Sequence, residues 1–214
     1  MLMAVFSDVH GNLPALQRFL EAVEGRVDGY VCLGDVVNYG PWSDECLELI
    51  FELPNLKIVR GNHEDMFLGK PPLDELDGVV GSFTRHCLNN FTRFDLIQGL
   101  LAEDSVGRFR AVHTIDGRRV FPETDLWVEQ DHLIGHSHWQ YAVRRGGLII
   151  NPGSVGQNRQ DISHVDFALL DTSSGATEFC SIPYDVDLLL REVRAQSYPV
   201  DAIDYFDRKV RERR

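Results

Sequence analysis

Three short apolar runs, LMAVFS at 2–7, YVCLG at 30–34 and LKIVRG at 56–61, alternate with two stretches of helical spacing, and this alternation limits the fold more than any other feature. In LPALQRFLEAVEG the residues Leu16, Phe19, Leu20 and Val23 recur at helical period. SDECLELIFE opens on Ser43, a favoured N-cap type, and continues as a second helix. Strands that are apolar almost throughout are buried on both faces, and strands joined through helices run parallel, so the first third of the chain predicts a parallel β-α-β core. From Pro71 to Gly107 the chain reads as a helical excursion without a strand. Beyond it RFRAVH, DHLIGH, QYAVRR, GLIIN, HVDFALLD and ATEFCSI read as short strands, joined by turns such as Arg145-Gly146-Gly147 and Ser173-Ser174-Gly175. They either build a second sheet or extend the first with antiparallel strands. DVDLLLREVRAQ and AIDYFDRKVRERR close the chain as helices. With no linker, repeat or low-complexity tract, one domain over residues 1–214 is expected.

The polar residues collect where strands end. The first strand runs into Ser7-Asp8-Val9-His10-Gly11-Asn12, the second into Gly34-Asp35, and the third into Gly61-Asn62-His63-Glu64. Later strands end at His113 and at Gly135-His136-Ser137-His138. In open α/β sheets the carboxyl ends of strands converge on one crevice, so these five strand ends aim at one place. His136 and His138, two residues apart in an extended segment, face the same side. Each feature alone is compatible with a turn, a helix cap or a core histidine; together they give seven oxygen or imidazole ligand candidates, Asp8, His10, Asp35, Asn62, His113, His136 and His138. A single catalytic zinc takes about three protein ligands, so seven suit two ions. Such ions sit roughly 3.5 to 4 Å apart and need a bridging carboxylate, for which Asp35 on a central strand is the candidate.

Charge and cysteine use narrow the function classes. The formal net charge of −12 argues against an extended nucleic-acid footprint, although bound divalent ions would make one cleft locally positive. Cys32, Cys46, Cys87 and Cys180 show no CxxC spacing, so free thiols in a reducing compartment are expected rather than disulfides or a thiolate zinc site. No run approaches the roughly 20 apolar residues of a membrane span, and a cytoplasmic protein is expected.

The order DVHGN, GDVVNYGP, GNHE, His113 and GHSH, followed by NPGSVGQ at 151–157, resembles the calcineurin-like metallophosphoesterase family, in particular its small bacterial single-domain phosphodiesterases. The resemblance covers about three quarters of the chain. It implies a four-layer αββα sandwich of two mixed sheets with a dinuclear site at one edge. It also implies that Asp8, His10 and His138 hold one metal, that Asn62, His113 and His136 hold the other, and that Asp35 bridges. Members of the family use manganese, iron, zinc, nickel or magnesium; Mn²⁺ is the first expectation with iron, zinc, nickel or magnesium as alternatives, and imidazole-rich ligation makes a purely magnesium site less natural. Two such ions acidify a water held between them, which attacks phosphorus in line with the departing alcohol. His63, the histidine left over at this edge, is expected to protonate the leaving group or to stabilise the transition state.

Departures from the pattern bear on the substrate. The protein phosphatase branch of the family has an acidic residue and then an arginine where this chain has Asn38 and Tyr39. Asn38 can accept a hydrogen bond from His63 but supplies no charge, and Tyr39 cannot grip phosphate bidentately. A small monoanionic diester, cyclic nucleotides included, is therefore favoured over a phosphomonoester or a phosphoprotein, with Tyr39 available to stack on a flat leaving group. Arg159 is a further candidate for substrate contact, and the small residues of NPGSVG could line the cleft with their N–H groups. The branch usually continues from His113 with small residues and from Gln157 with proline; HTIDGRRV and QNRQ stand here instead. Other classes considered are a non-catalytic scaffold of the same fold, which can dispense with ligands that this chain retains, and a nuclease, which the charge disfavours. His86, His132 and His164 are expected to be structural or superficial.

Overall fold

The computed structural model describes residues 1–212. Its elements, in chain order, are β1 (Leu2–Phe6), α1 (Leu13–Val23), β2 (Gly29–Cys32), α2 (Ser43–Phe51), β3 (Leu56–Ile58), α3 (Asn62–Phe67), α4 (Gly78–Leu88), α5 (Phe94–Ile97), β4 (Glu103–Val106), β5 (Phe109–Val112), β6 (His132–Leu133), β7 (Gln140–Arg145), β8 (Gly147–Pro152), β9 (His164–Asp171), β10 (Thr177–Pro183), α6 (Val186–Ala195) and α7 (Val200–Glu212). The helix expected to the end of the chain is observed to Glu212; Arg213 and Arg214 lie outside the described residues.

Two mixed five-stranded sheets form, in the orders β10-β9-β1-β2-β3 and β4-β5-β6-β8-β7. Both alternatives open in the sequence are realised, because RFRAVH to GLIIN build the second sheet while β9 and β10 extend the first, with β9 antiparallel to β1. Period-2 alternation sets the layers. In β1 and β2 the residues Met3, Val5, Val31 and Leu33 face the second sheet and meet Phe109, Ala111, Leu133 and Ile150. Their neighbours Ala4, Phe6, Tyr30 and Cys32 face outward into a core shared with Phe19 of α1, Leu47 of α2, Phe83 of α4, Leu189 of α6 and Phe206 of α7. This is the α/β arrangement of two sheets flanked by helices that the resemblance implies. The outer face of the second sheet, Val112, Ile134, Tyr141 and Ile149, is closed by Val120 and Val128 of the irregular segment 113–131.

Two local expectations fail for identifiable reasons. The excursion does contain a strand, β4, which pairs antiparallel with β5 at a sheet edge. Only Val106 of its four residues is buried, so the apolar alternation that reveals a strand is missing. Ser43 does not cap α2: Trp42 occupies the cap position, and the Ser43 hydroxyl accepts the Asn38 N–H at 3.0 Å instead. Ser43 is thus used to hold the loop after β2. Asn12 does cap α1, accepting the Ala15 N–H at 3.3 Å. All four cysteines are free, and among the described residues no helix is long and apolar enough to cross a membrane.

Strands β1, β2 and β3 run parallel, as do β5, β6 and β8. Their carboxyl ends are stitched together across both sheets by Asp8 N–H to Gly34 O at 3.0 Å, Val155 N–H to Ser7 O at 3.0 Å and Gly135 N–H to His113 O at 3.1 Å.

Candidate metal centre

The loops at these strand ends are folded tightly enough to force unusual backbone. Ten non-glycine residues have positive φ among the described residues, and seven of them are Asp8, His10, Asp35, Asn38, Tyr39, His136 and His138. Each costs on the order of 1 kcal/mol or more, and such strain persists only where the surroundings over-determine it. Gly34 and Gly61 permit the closest approach. Gly34 has φ +90°, and a Cβ on Gly61 would lie 2.1 Å from Asp35 Oδ1.

The side chains meet in two overlapping groups. Asp8, His10 and His138 converge, with Asp8 Oδ1 3.3 Å from His138 Nε2 and 3.8 Å from His10 Nε2. Asp35, His113 and His136 form the second group, with Asp35 Oδ2 3.0 Å from His113 Nε2 and His136 Nδ1 3.2 Å from the same nitrogen. Asn62 joins the second group through Oδ1, 3.1 Å from His113 Nε2. Asp35 Oδ2 is also 3.9 Å from His10 Nε2 and 3.9 Å from His63 Nε2, so it lies between the groups. All seven ligand candidates and His63 are therefore brought to one place.

Hydrogen bonds behind the cluster fix which atoms face it. His10 Nδ1 donates to Val37 O at 3.3 Å, His113 Nδ1 to Leu33 O at 2.7 Å, and His138 Nδ1 to Gln157 O at 2.8 Å. A carbonyl only accepts, so each Nδ1 carries a proton and each Nε2 is the ring nitrogen turned inward. His10 Nε2 and His138 Nε2 then face each other at 3.4 Å as two acceptors, and buried Asp8 Oδ1 has no hydrogen-bond donor. Two carboxylates, one amide oxygen and four imidazoles converge, a set that bound cations would satisfy, and oxygen with imidazole nitrogen suits divalent transition metals.

Without metal the charges are strongly coupled. Burial opposes ionisation of Asp35, yet His113 and His63 hold its carboxyl well below the ordinary range, and Asp35 in turn raises His113 against the same burial. Asp8 is likewise pushed up by burial and held low on balance by His138. Burial, then repulsion from His113, lowers His136 to about 4. Burial, then His63, keeps the His10 ring neutral.

His63 sits at the first turn of α3, where its N–H donates to Asp35 Oδ1 at 2.8 Å. Its Nδ1 is 2.8 Å from the Asn38 amide, and here the structure corrects the expected polarity. The Tyr39 N–H donates to the Asn38 side chain at 2.8 Å, so that atom is Oδ1. Asn38 Nδ2 therefore donates both to Thr84 Oγ1 at 2.8 Å and to His63 Nδ1, while the Thr84 hydroxyl is committed to Val80 O at 2.9 Å. Asn38 is a donor and not an acceptor toward His63, and His63 presents Nε2–H to the cleft.

Several positions carry signals that the sequence conceals. Glu64, fully buried, accepts N–H groups from Asp35 (2.9 Å) and Gly61 (2.8 Å) on one oxygen and from Val36 (2.7 Å) and Val37 (3.1 Å) on the other. It ties the β2 loop to α3; burial and then Asp35 raise its pKa to about 7, against the pull of those N–H groups. The only hint was its place at N3 after Gly61, a capping pattern. Thr84, arriving from α4, had none. The N–H groups of Val155 and Gly156 are used on Ser7 O and Asp8 O, and Asn151 donates to Gly135 O at 2.7 Å, so the NPGSVG turn braces the ligand loops instead of lining the cleft. Tyr39 is 9% exposed and packs on His10, His63, Phe83 and Tyr205 at ring distances of 4.8, 5.2, 4.5 and 5.8 Å, which leaves little of its surface for stacking. Arg159 lies exposed at the rim, in one cleft with Tyr39.

The family model for calcineurin-like phosphoesterases matches residues 1–190. The chain belongs to the calcineurin-like phosphoesterase family. This phosphoesterase is 29% identical over 216 residues to an uncharacterized protein of Methanocaldococcus jannaschii, spanning 86% of this chain and 88% of that one. Its fold matches a metallophosphoesterase from Sphaerobacter thermophilus with a TM-score of 0.79 at 24% identity, covering 100% and 99% of the two chains. It also matches a hypothetical protein from Pyrococcus horikoshii, at TM-score 0.80 and 20% identity over 95% and 96%. The protein is a hydrolase of phosphate esters.

Proposed function

We propose that this phosphoesterase hydrolyses small phosphodiesters, cyclic nucleotides among them, with two divalent ions, Mn²⁺ first, held by Asp8, His10 and His138 on one side, Asn62, His113 and His136 on the other, and Asp35 between. The observation that carries this reading is the convergence of acceptors: Asp35 Oδ2 lies within 3.9 Å of three imidazole nitrogens, and buried Asp8 Oδ1 lacks a donor. When bound, the ions supply an acidified water and positive charge against the phosphoryl oxygens. The rest falls to the chain. The backbone carbonyls of Val37, Leu33 and Gln157 keep three ligand rings aimed inward. His63, neutral and lowered by burial, offers Nε2–H to a phosphoryl or leaving-group oxygen where charge develops. Asn38 and Thr84 hold that ring in its tautomer.

A diester is favoured over a monoester because the position beside His63 is an uncharged amide, 2.8 Å away, and the next is Tyr39 in place of a guanidinium. Free, mostly buried thiols support a reducing, cytoplasmic setting. The test compares bis-p-nitrophenyl phosphate with p-nitrophenyl phosphate on protein stripped of metal and resupplied with Mn²⁺. Faster turnover of the diester, absent in Asp35→Asn, supports the proposal; preference for the monoester, or turnover that survives in Asp35→Asn, overturns it.

A further inference from the structure

Beside the metal centre lies a cleft of about 320 Å³ walled by Tyr39, Tyr205, Arg119, Arg159, Arg208 and Lys209. Four cations and two tyrosines share it with no carboxylate in its lining, in a chain whose formal net charge is −12. The cations come from three separate parts of the chain. Arg119 stands in the irregular segment after β5, Arg159 in the loop after β8, and Arg208 and Lys209 on α7. Among the described residues, no carboxylate lies within 4.0 Å of Arg119, Arg159 or Arg208 in an ion pair; Arg26, Arg85, Arg118, Arg144 and Arg145 are likewise without an ion pair, and what sets the first three apart is that they converge on one cleft. Asp201 and Asp204 share a neighbouring hollow with Arg208, and Val79 lines both hollows.

The cleft adjoins the metal centre through Tyr39, which lines the one and packs against the other. Tyr39 rests 4.8 Å from the His10 ring and 5.2 Å from the His63 ring. Tyr205, half-buried, donates from its hydroxyl to Gln157 Oε1 at 3.1 Å, and the carbonyl of Gln157 orients His138. Arg119 is close enough to act on both Tyr39 and His136. The two loops that depart from the family pattern are the ones that deliver Arg119 and Arg159.

We infer that this cleft is a second phosphate subsite, and that the natural substrate is a nucleotide carrying at least one phosphate besides the one that is cleaved, its flat ring beside Tyr205. Guanidinium groups match phosphate oxygens bidentately, and several arginines without fixed carboxylate partners make an anion site rather than a structural network. A volume of about 320 Å³ suits a mononucleotide-sized group. This inference rests on the metallophosphoesterase site described above for the chemistry, but not for binding, so the two can fail separately.

Two measurements test it. In chelator, without metal, calorimetry compares adenosine 5′-monophosphate with adenosine; at least tenfold tighter binding of the phosphorylated ligand is expected, with the difference lost in the double variant R119Q/R208Q. In Mn²⁺, kcat/KM for the 5′-phosphorylated dinucleotide pApA is divided by that for bis-p-nitrophenyl phosphate, and the ratio falls at least tenfold in the same variant. Equal binding of the two ligands, or a ratio unmoved in a variant that melts like the wild type, overturns the subsite. Bis-p-nitrophenyl phosphate left intact by the Mn²⁺-loaded wild type would count against the proposed chemistry, while the metal-free binding measurement still decides the subsite.

Discussion

Asp8, His10, Asp35, His113 and His138 are each less than a tenth exposed and sit within a few residues of strand ends, with every ring anchored from behind by a backbone carbonyl or braced by a neighbour. Arg119, Arg159 and Arg208 are exposed, lie on an irregular segment, a loop and the last helix, and are anchored by no carboxylate within 4.0 Å among the described residues. The floor of the site is thus placed by the sheets, whose registers leave it little freedom, and the rim by segments that can change without disturbing the core. On the proposed function, chemistry follows from the floor and selection of substrate from the rim. Changes in the floor are expected to alter metal content, stability or kcat, and changes at the rim to alter KM.

The largest effect is expected at the bridge. Asp35→Asn removes the one carboxylate that faces both groups, and turnover of bis-p-nitrophenyl phosphate is expected to fall on the order of 10³-fold or more, with bound metal reduced in elemental analysis. Wild-type turnover in this variant would break the division between floor and rim at its centre. Glu64 tests whether the floor is also structural. Glu64→Ala leaves four buried N–H groups without acceptors, a loss of about 3 kcal/mol or more, visible as a fall of roughly 6–12 °C in Tm. An unchanged Tm would show that the β2 loop holds itself.

His63 separates binding of metal from chemistry. His63→Ala is expected to keep both metals and lose about 10²-fold in kcat; full turnover with metals retained would remove His63 from the reaction. Thr84 acts at one remove, through Asn38. Thr84→Val removes one acceptor worth about 1 kcal/mol, so kcat is expected to fall about fivefold with KM steady, and Thr84→Ser to restore it. Loss in both variants alike would mark a packing role only. The smallest effect belongs to the rim: Arg159→Gln is expected to raise KM for a simple diester about two- to fivefold, because an exposed charge is screened by solvent, and higher salt is expected to narrow the gap. A loss in kcat instead would move Arg159 from rim to floor.

The same contrast explains what could be read from the chain. Strand ends with polar clusters were legible because β1 and β2 are apolar, the run through β3 is apolar but for Lys57, and the runs stop abruptly at Ser7, Gly34 and Arg60, so Asp8, Asp35 and Asn62 fall at countable positions. β4 was hidden because a polar edge strand has no alternation to show. Ser43 carries a capping side chain but spends it on the Asn38 N–H, a choice that depends on a loop five residues earlier. The direction of the bond between Asn38 and His63 follows from the Tyr39 N–H on Asn38 Oδ1, a loop geometry, and from Thr84, 46 residues away, on Nδ2. The rim was legible only at Arg159, because Arg119, Tyr205 and Arg208 reach one cleft through tertiary folding that no local pattern records.

In the proposed function, groups converging from two sheets hold two ions, and hydrolysis depends on both. The direct measurement is a stepwise Mn²⁺ titration of chelator-treated protein, with bound metal and turnover of bis-p-nitrophenyl phosphate read on the same samples. Turnover that rises with occupancy and levels off at two ions per chain is the predicted result. A plateau at one ion, or turnover already present in the metal-free protein, would contradict it.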